Sequence, residues 1–137
     1  MRKQVFMGTT KIEADRTAAE IVAELVKAGA TSVNTDYENG KIKGIRWLMN
    51  VKGTVTLFQM PARVEPVVKL LNNREQGTRT AWRQLLRWVQ AQNAMIETGM
   101  VQPAEVYFAY HVPDGAAKTL FEMAIESPKF KLLSAPQ

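Results

Sequence analysis

Between Glu38 and Glu65 the chain carries five cations, Lys41, Lys43, Arg46, Lys52 and Arg63, and no acid. Farther on, Arg79, Arg83 and Arg87 recur every four residues and lead to Gln90, so on a helix they line one side. Both groups suit oxyanions: an ammonium meets a phosphate as a point charge, and a guanidinium binds it through two parallel hydrogen bonds. The surplus is also global. Eighteen Lys and Arg against thirteen Asp and Glu leave a net charge of +5, with an isoelectric point near 9.6. That balance favours a polyanionic partner, DNA or RNA.

Other chemistries have less to work with. The chain has no cysteine and one histidine, His111. This removes thiolate nucleophiles, Fe–S clusters, disulfides and sulfur-ligated zinc, and leaves no metal-ligand spacing. His111 stands between Tyr110 and Val112 in an extended stretch and reads as a hydrogen-bonded structural residue rather than a general base. Asp36 and Glu38 share a strand face near Lys41 and Lys43, a grouping that Mg²⁺-dependent nucleases also use. Each acid has a lysine across the ladder, however, so ion pairing is the preferred reading. Glu13 and Asp15 have a similar spacing before the first helix, where they favour its N-terminus. There is no nucleophile elbow, phosphate-cradling glycine loop or dinucleotide fingerprint. The expectation is a non-enzymatic protein with no metal and no cofactor.

The elements that position these groups follow from patterning. A chain of 137 residues, 46% hydrophobic and 23% charged, is the size of one domain with one core. The pattern predicts a single α+β domain over 1–137: a three-stranded antiparallel meander packed against an N-terminal helix and a long helix in the C-terminal half. Thr17-Ala18-Ala19-Glu20 reads as a capping box, with Ile21, Val22, Leu25 and Val26 at helical spacing and Gly29 as the stop. Asn39-Gly40 is a hairpin turn between strands at 31–38 and 41–50, and Lys52-Gly53 is a weaker one leading to 54–60. These turns place Glu38 opposite Lys41, Asp36 opposite Lys43, Trp47 opposite Phe58 and Leu48 opposite Leu57. A bulge at Gly44 absorbs a slip in the alternation. Tyr37, Ile42, Ile45, Trp47, Met49, Phe58 and Met60 then face the core, while Lys41, Lys43, Arg46, Leu48, Val55 and Leu57 face outward.

A brief helix is expected at 63–71, a polar loop at 72–79, and the longest helix at 81–98, capped by Thr80 and closed by Gly99. A strand or extended pass at 107–112, a turn at Pro113-Asp114-Gly115, a helix at 116–126 and a frayed tail complete the chain. The first residues lack a signal-peptide core and no apolar run reaches the 18 or so residues that span a bilayer. With the absence of cysteine, this points to a cytoplasmic setting with no membrane partner.

The run 81–92, Ala-Trp-Arg-Gln-Leu-Leu-Arg-Trp-Val-Gln-Ala-Gln, and Met95-Ile96-Glu97-Thr98-Gly99-Met100-Val101 resemble a family of short uncharacterised proteins encoded by phages and prophages. The hairpin resembles theirs too, so the likeness spans about 11–112. It implies a genomic setting, and a host-cell cytoplasm, rather than an activity. Two functions fit. In the first, Lys41, Lys43, Arg46, Lys52, Arg79, Arg83 and Arg87 contact nucleic-acid phosphates, with the stacking aromatics absent from the outer sheet face. In the second, Leu48, Val55 and Leu57, or the spare surface of Trp88, form a protein interface in a homo-oligomer or with a host protein.

Overall fold

The computed structural model describes residues 4–127. The expected tail beyond Pro128 and the basic pair at the N-terminus lie outside the described residues. Two positive-φ turns, Asn39-Gly40 (φ 53° and 77°) and Lys52-Gly53 (φ 51° and 87°), fold three strands into an antiparallel meander. These are β1 (Ala30–Glu38), β2 (Lys41–Val51) and β3 (Thr54–Pro61). The expected α+β architecture is present, with β2 central.

Register follows the turns. Glu38 pairs with Lys41, Trp47 with Phe58 and Leu48 with Leu57. The bulge is there, one residue before the expected position: Lys43 is the extra residue, so Asp36 lies opposite Gly44 and not opposite Lys43. Gly44 is required where it sits, because a Cβ there would stand 2.6 Å from the Met60 carbonyl oxygen. Ile42, Ile45, Trp47, Met49, Phe58 and Met60 are buried on one face. Tyr37 shares that face yet is 61% exposed, because it lies on the edge strand near the hairpin tip.

Helix α1 (Ala14–Lys27) covers the core face through Thr17, Ala18, Ile21 and Leu25. It begins earlier than its apparent capping box. Glu13 is the N-cap, the Thr17 N–H donates to the Glu13 carbonyl, and the Thr17 hydroxyl is buried inside the helix. Helix α2 (Glu65–Leu71) holds Pro66 in its first turn, and Asn72, left-handed at φ 52°, ends it.

Helix α3 (Arg74–Glu97) also starts early, inside the stretch expected to be a loop, because Asn73 accepts the Gln76 N–H at 3.0 Å. Thr80 is therefore no cap; its buried hydroxyl donates to the Met7 carbonyl. Gln76 and Gln84 add amide bonds to the carbonyls of Gly8, Thr10 and Phe6, which lays the N-terminal segment along α3.

Residues 107–112 are not a strand. After α4 (Pro103–Val106) comes a 3₁₀ turn, Phe108–Tyr110, and only then does the chain touch the outer edge of β3. There the Val112 N–H donates to the Leu57 carbonyl and His111 bridges Phe58. The last helix, α5 (Leu120–Glu126), is shorter than expected because Thr119 and Glu122 form its capping box.

Candidate nucleic-acid interface

The arginine row divides by burial. Arg83 is 6% exposed; its Nη1 donates to the Thr17 hydroxyl and the Glu20 carboxylate, each at 3.1 Å. Arg79 bonds Gln76 at 2.7 Å and reaches Glu13 at 3.4 Å. Both side chains join α3 to α1 and its N-terminal approach. Only Arg87 of the row is exposed, its Nη1 bonded to the Gln90 side chain at 2.8 Å. The row is thus mainly a helix-packing device, because α1 lies alongside that face of α3 and brings Glu13, Thr17 and Glu20 to it.

The sheet cations divide too. Lys41 and Lys43 are exposed. Arg46 is exposed but bonded to Asp36 at 2.8 Å, which gives Asp36 a partner diagonally across the ladder in place of the expected Lys43. Lys41 borders a hollow that also holds Glu13, Asp15 and Glu75 beside Arg74 and Arg79, a surface of mixed sign. Lys52 is on the far turn; at roughly 3.3 Å per residue it is about 30 Å from Lys43. Leu48 and Leu57 are half-buried cross-strand neighbours on the outer face, and Val55 beside them is 64% exposed.

What remains together is a strip that crosses Pro61. On one side of that proline a hollow of about 300 Å³ is bordered by two cations, Lys43 and the Asp36-paired Arg46, with Glu38, Tyr37 and Gln59 also on its rim. On the other side a groove of about 220 Å³ is lined by Arg63, Val67, Gln84, Leu85, Trp88 and Tyr110. The two are coupled through the backbone, since the Ala62 N–H donates to the Lys43 carbonyl at 2.8 Å.

The aromatics of this groove are held by the core. Trp47 stacks on Phe58 at 5.5 Å and meets Tyr107 edge-on at 5.2 Å. Tyr107 meets Trp88 edge-on at 5.7 Å, and Trp88 meets Tyr110 at 6.0 Å. Such edge-to-face contacts fix ring planes, so Trp88 and Tyr110 present set orientations at the surface. The Arg63 guanidinium lies 5.7 Å over the Phe121 ring. The Glu122 carboxyl nearby is held below its ordinary range, first by the Thr119 backbone N–H and further by the charges of Arg63 and Lys118.

Trp88 was legible from its place beside the main apolar seam. Tyr110 was not, because its stretch reads as a strand and the 3₁₀ turn that aims it has no sequence signature. Among the described residues no group of three His, Cys, Asp or Glu side chains converges as a metal site. His111 Nδ1 is 3.1 Å from the Leu57 carbonyl, a structural contact. No helix among the described residues is long and apolar enough to cross a membrane.

No protein-family model matches the chain, and no curated protein or solved structure matches it either.

Proposed function

We propose that this protein binds single-stranded nucleic acid without catalysing a reaction on it. The phosphates follow Lys43, Arg46 and Arg63, and an unstacked base lies against Trp88 and Tyr110. One observation carries the reading: cations and surface aromatics, set apart in the sequence, lie side by side across Pro61. Single-strand binders combine these two features, a positive groove for the backbone and rings for the bases, and each stacked base contributes roughly 1–3 kcal/mol. Lys41, Lys52 and Arg87 lie off the strip and add long-range attraction. The phage or prophage setting implied by the resemblance is compatible with such an accessory role.

Fluorescence tests the proposal directly. Trp47 and Trp82 are 1% and 0% exposed, so quenching by an added oligonucleotide reports on Trp88. Titration with single-stranded DNA or RNA at low salt is expected to quench emission, with affinity falling by about 0.7 log units per log unit of salt for each phosphate contacted. Trp88→Phe should abolish most of the signal and weaken binding. No quenching and no retardation in a gel at low salt sink the proposal.

A second reading, a protein-interaction module, draws on the apolar side chains that α5 leaves exposed, Phe121, Met123 and Ile125. Partner capture that is insensitive to salt and lost on changing α5 would favour it.

A further inference from the structure

The two edges of the sheet are treated differently. The outer edge of β3 is occupied, with Val112 bonded to Leu57 and His111 bridged to Phe58. The outer edge of β1 has no backbone partner among the described residues. Proteins ordinarily blunt such an edge with lysine, proline or a covering loop, and β1, Ala-Thr-Ser-Val-Asn-Thr-Asp-Tyr-Glu, contains neither residue. Alternation from the closing pair Glu38–Lys41 turns the backbone N–H and C=O of Val33, Thr35 and Tyr37 away from β2.

We infer that β1 pairs antiparallel with β1 of a second copy of this chain, forming a continuous six-stranded sheet in a two-fold dimer. The strand's regular register fits a self-pair, and its two acids, with no cation beside them on β1, limit where the axis can fall. Beyond the irregularity between Ala30 and Ser32, the strand pairs regularly with β2 apart from the Lys43 bulge on the other side, and the midpoint of 32–38 is Thr35. A two-fold axis at Thr35 places Tyr37 opposite Val33 of the second copy, Asp36 opposite Asn34 and Glu38 opposite Ser32. No carboxylate lies directly opposite another, the two Asp36 being only diagonal neighbours, whereas an axis one residue farther along sets Asp36 against Asp36. The same register covers Tyr37, which the edge position leaves 61% exposed on the core side of the sheet. The interface is small and belongs with weak, transient associations, so the dimer is expected to be concentration-dependent. It borders the proposed nucleic-acid strip, whose hollow is also lined by Asp36, Tyr37 and Glu38, but does not rest on that reading.

Sedimentation of the full chain over a concentration series should show mass rising from 15.4 kDa towards twice that value. Thr35→Pro removes an outward N–H without touching the β1–β2 ladder, and should shift the midpoint at least tenfold while leaving the circular dichroism spectrum unchanged. Because the chain has no cysteine, Thr35→Cys supplies a second test that does not depend on the proline variant folding. Facing Cα atoms in a bonded antiparallel pair are about 5.5 Å apart, within disulfide reach. Mild oxidation should therefore crosslink Thr35→Cys quickly and Val55→Cys, on the open sheet face, slowly. A monomer at all concentrations, or equal crosslinking of the two variants, overturns the inference.

Discussion

Arg83 and Arg87 are one helical turn apart, of one type, and have opposite surroundings. Arg83 carries its charge into the contact between α3 and α1, where Thr17 and Glu20 take up its Nη1 protons. Removing it takes from Glu20 the nearer of its two cations, leaving Arg16 at 3.9 Å, and leaves a void where its stem packed. Arg83→Ala is expected to cost about 2 kcal/mol in urea unfolding, against less than about 0.5 kcal/mol for Arg87→Ala. Equal effects would return both residues to a solvent face. Tyr107 offers a second test by pH. Its hydroxyl is buried near Asn93, and burial, with a smaller contribution from the Glu24 charge, pushes its pKa up to about 12 from 10.0. Between those values the folded protein keeps a proton that the unfolded chain releases, so stability falls as pH rises through the window. Tyr107→Phe keeps the ring among Trp47 and Trp88 and should flatten that alkaline fall relative to the parent. A parallel decline in both proteins would argue against it.

Elements were legible where local chemistry dominated and obscure where tertiary partners claimed the same groups. Both glycine turns, the register and the bulged middle strand follow from steric rules that act over a few residues. The starts of α1 and α3 did not, because Thr17 and Thr80 are good caps that the fold uses elsewhere, one to receive Arg83 and one to hold the Met7 carbonyl. Gly77 is the sharper case. Polarity and a glycine suggest a loop, yet Gly77 is buried inside α3 because α2 crosses it there. A Cβ at this position would stand 2.5 Å from Val68 Cα, a backbone atom that no rotamer change can move. Intrinsic propensity favours Gly77→Ala by about 1 kcal/mol, whereas overpacking two helices costs about 1–3 kcal/mol or more. The clash should win, and Gly77→Ala should lower the urea midpoint. A rise in the midpoint would mean that α2 yields.

Across the whole molecule, net charge says only that polyanions are attracted; it does not say where they are held. The candidate strip was half legible: Lys43, Arg46 and Trp88 stand out by type and spacing, but their union depends on Pro61, on the Ala62–Lys43 backbone bond and on Tyr110, set by a turn far along the chain. Two pairs of substitutions separate global attraction from local grip. Lys43→Gln with Arg63→Gln, and Lys41→Gln with Lys52→Gln, each remove two positive charges from a chain of net charge +5, all at exposed positions. If the field of the whole molecule governs binding, the two doubles weaken single-strand affinity equally. If the strip does, the first should reduce the salt slope by about 1.4 through the loss of two phosphate contacts at roughly 0.7 each, while the second leaves the slope nearly intact and slows association. Equilibrium titrations at several salt concentrations decide between them. A larger slope change in the second double would move the site to the ends of the sheet and away from Trp88.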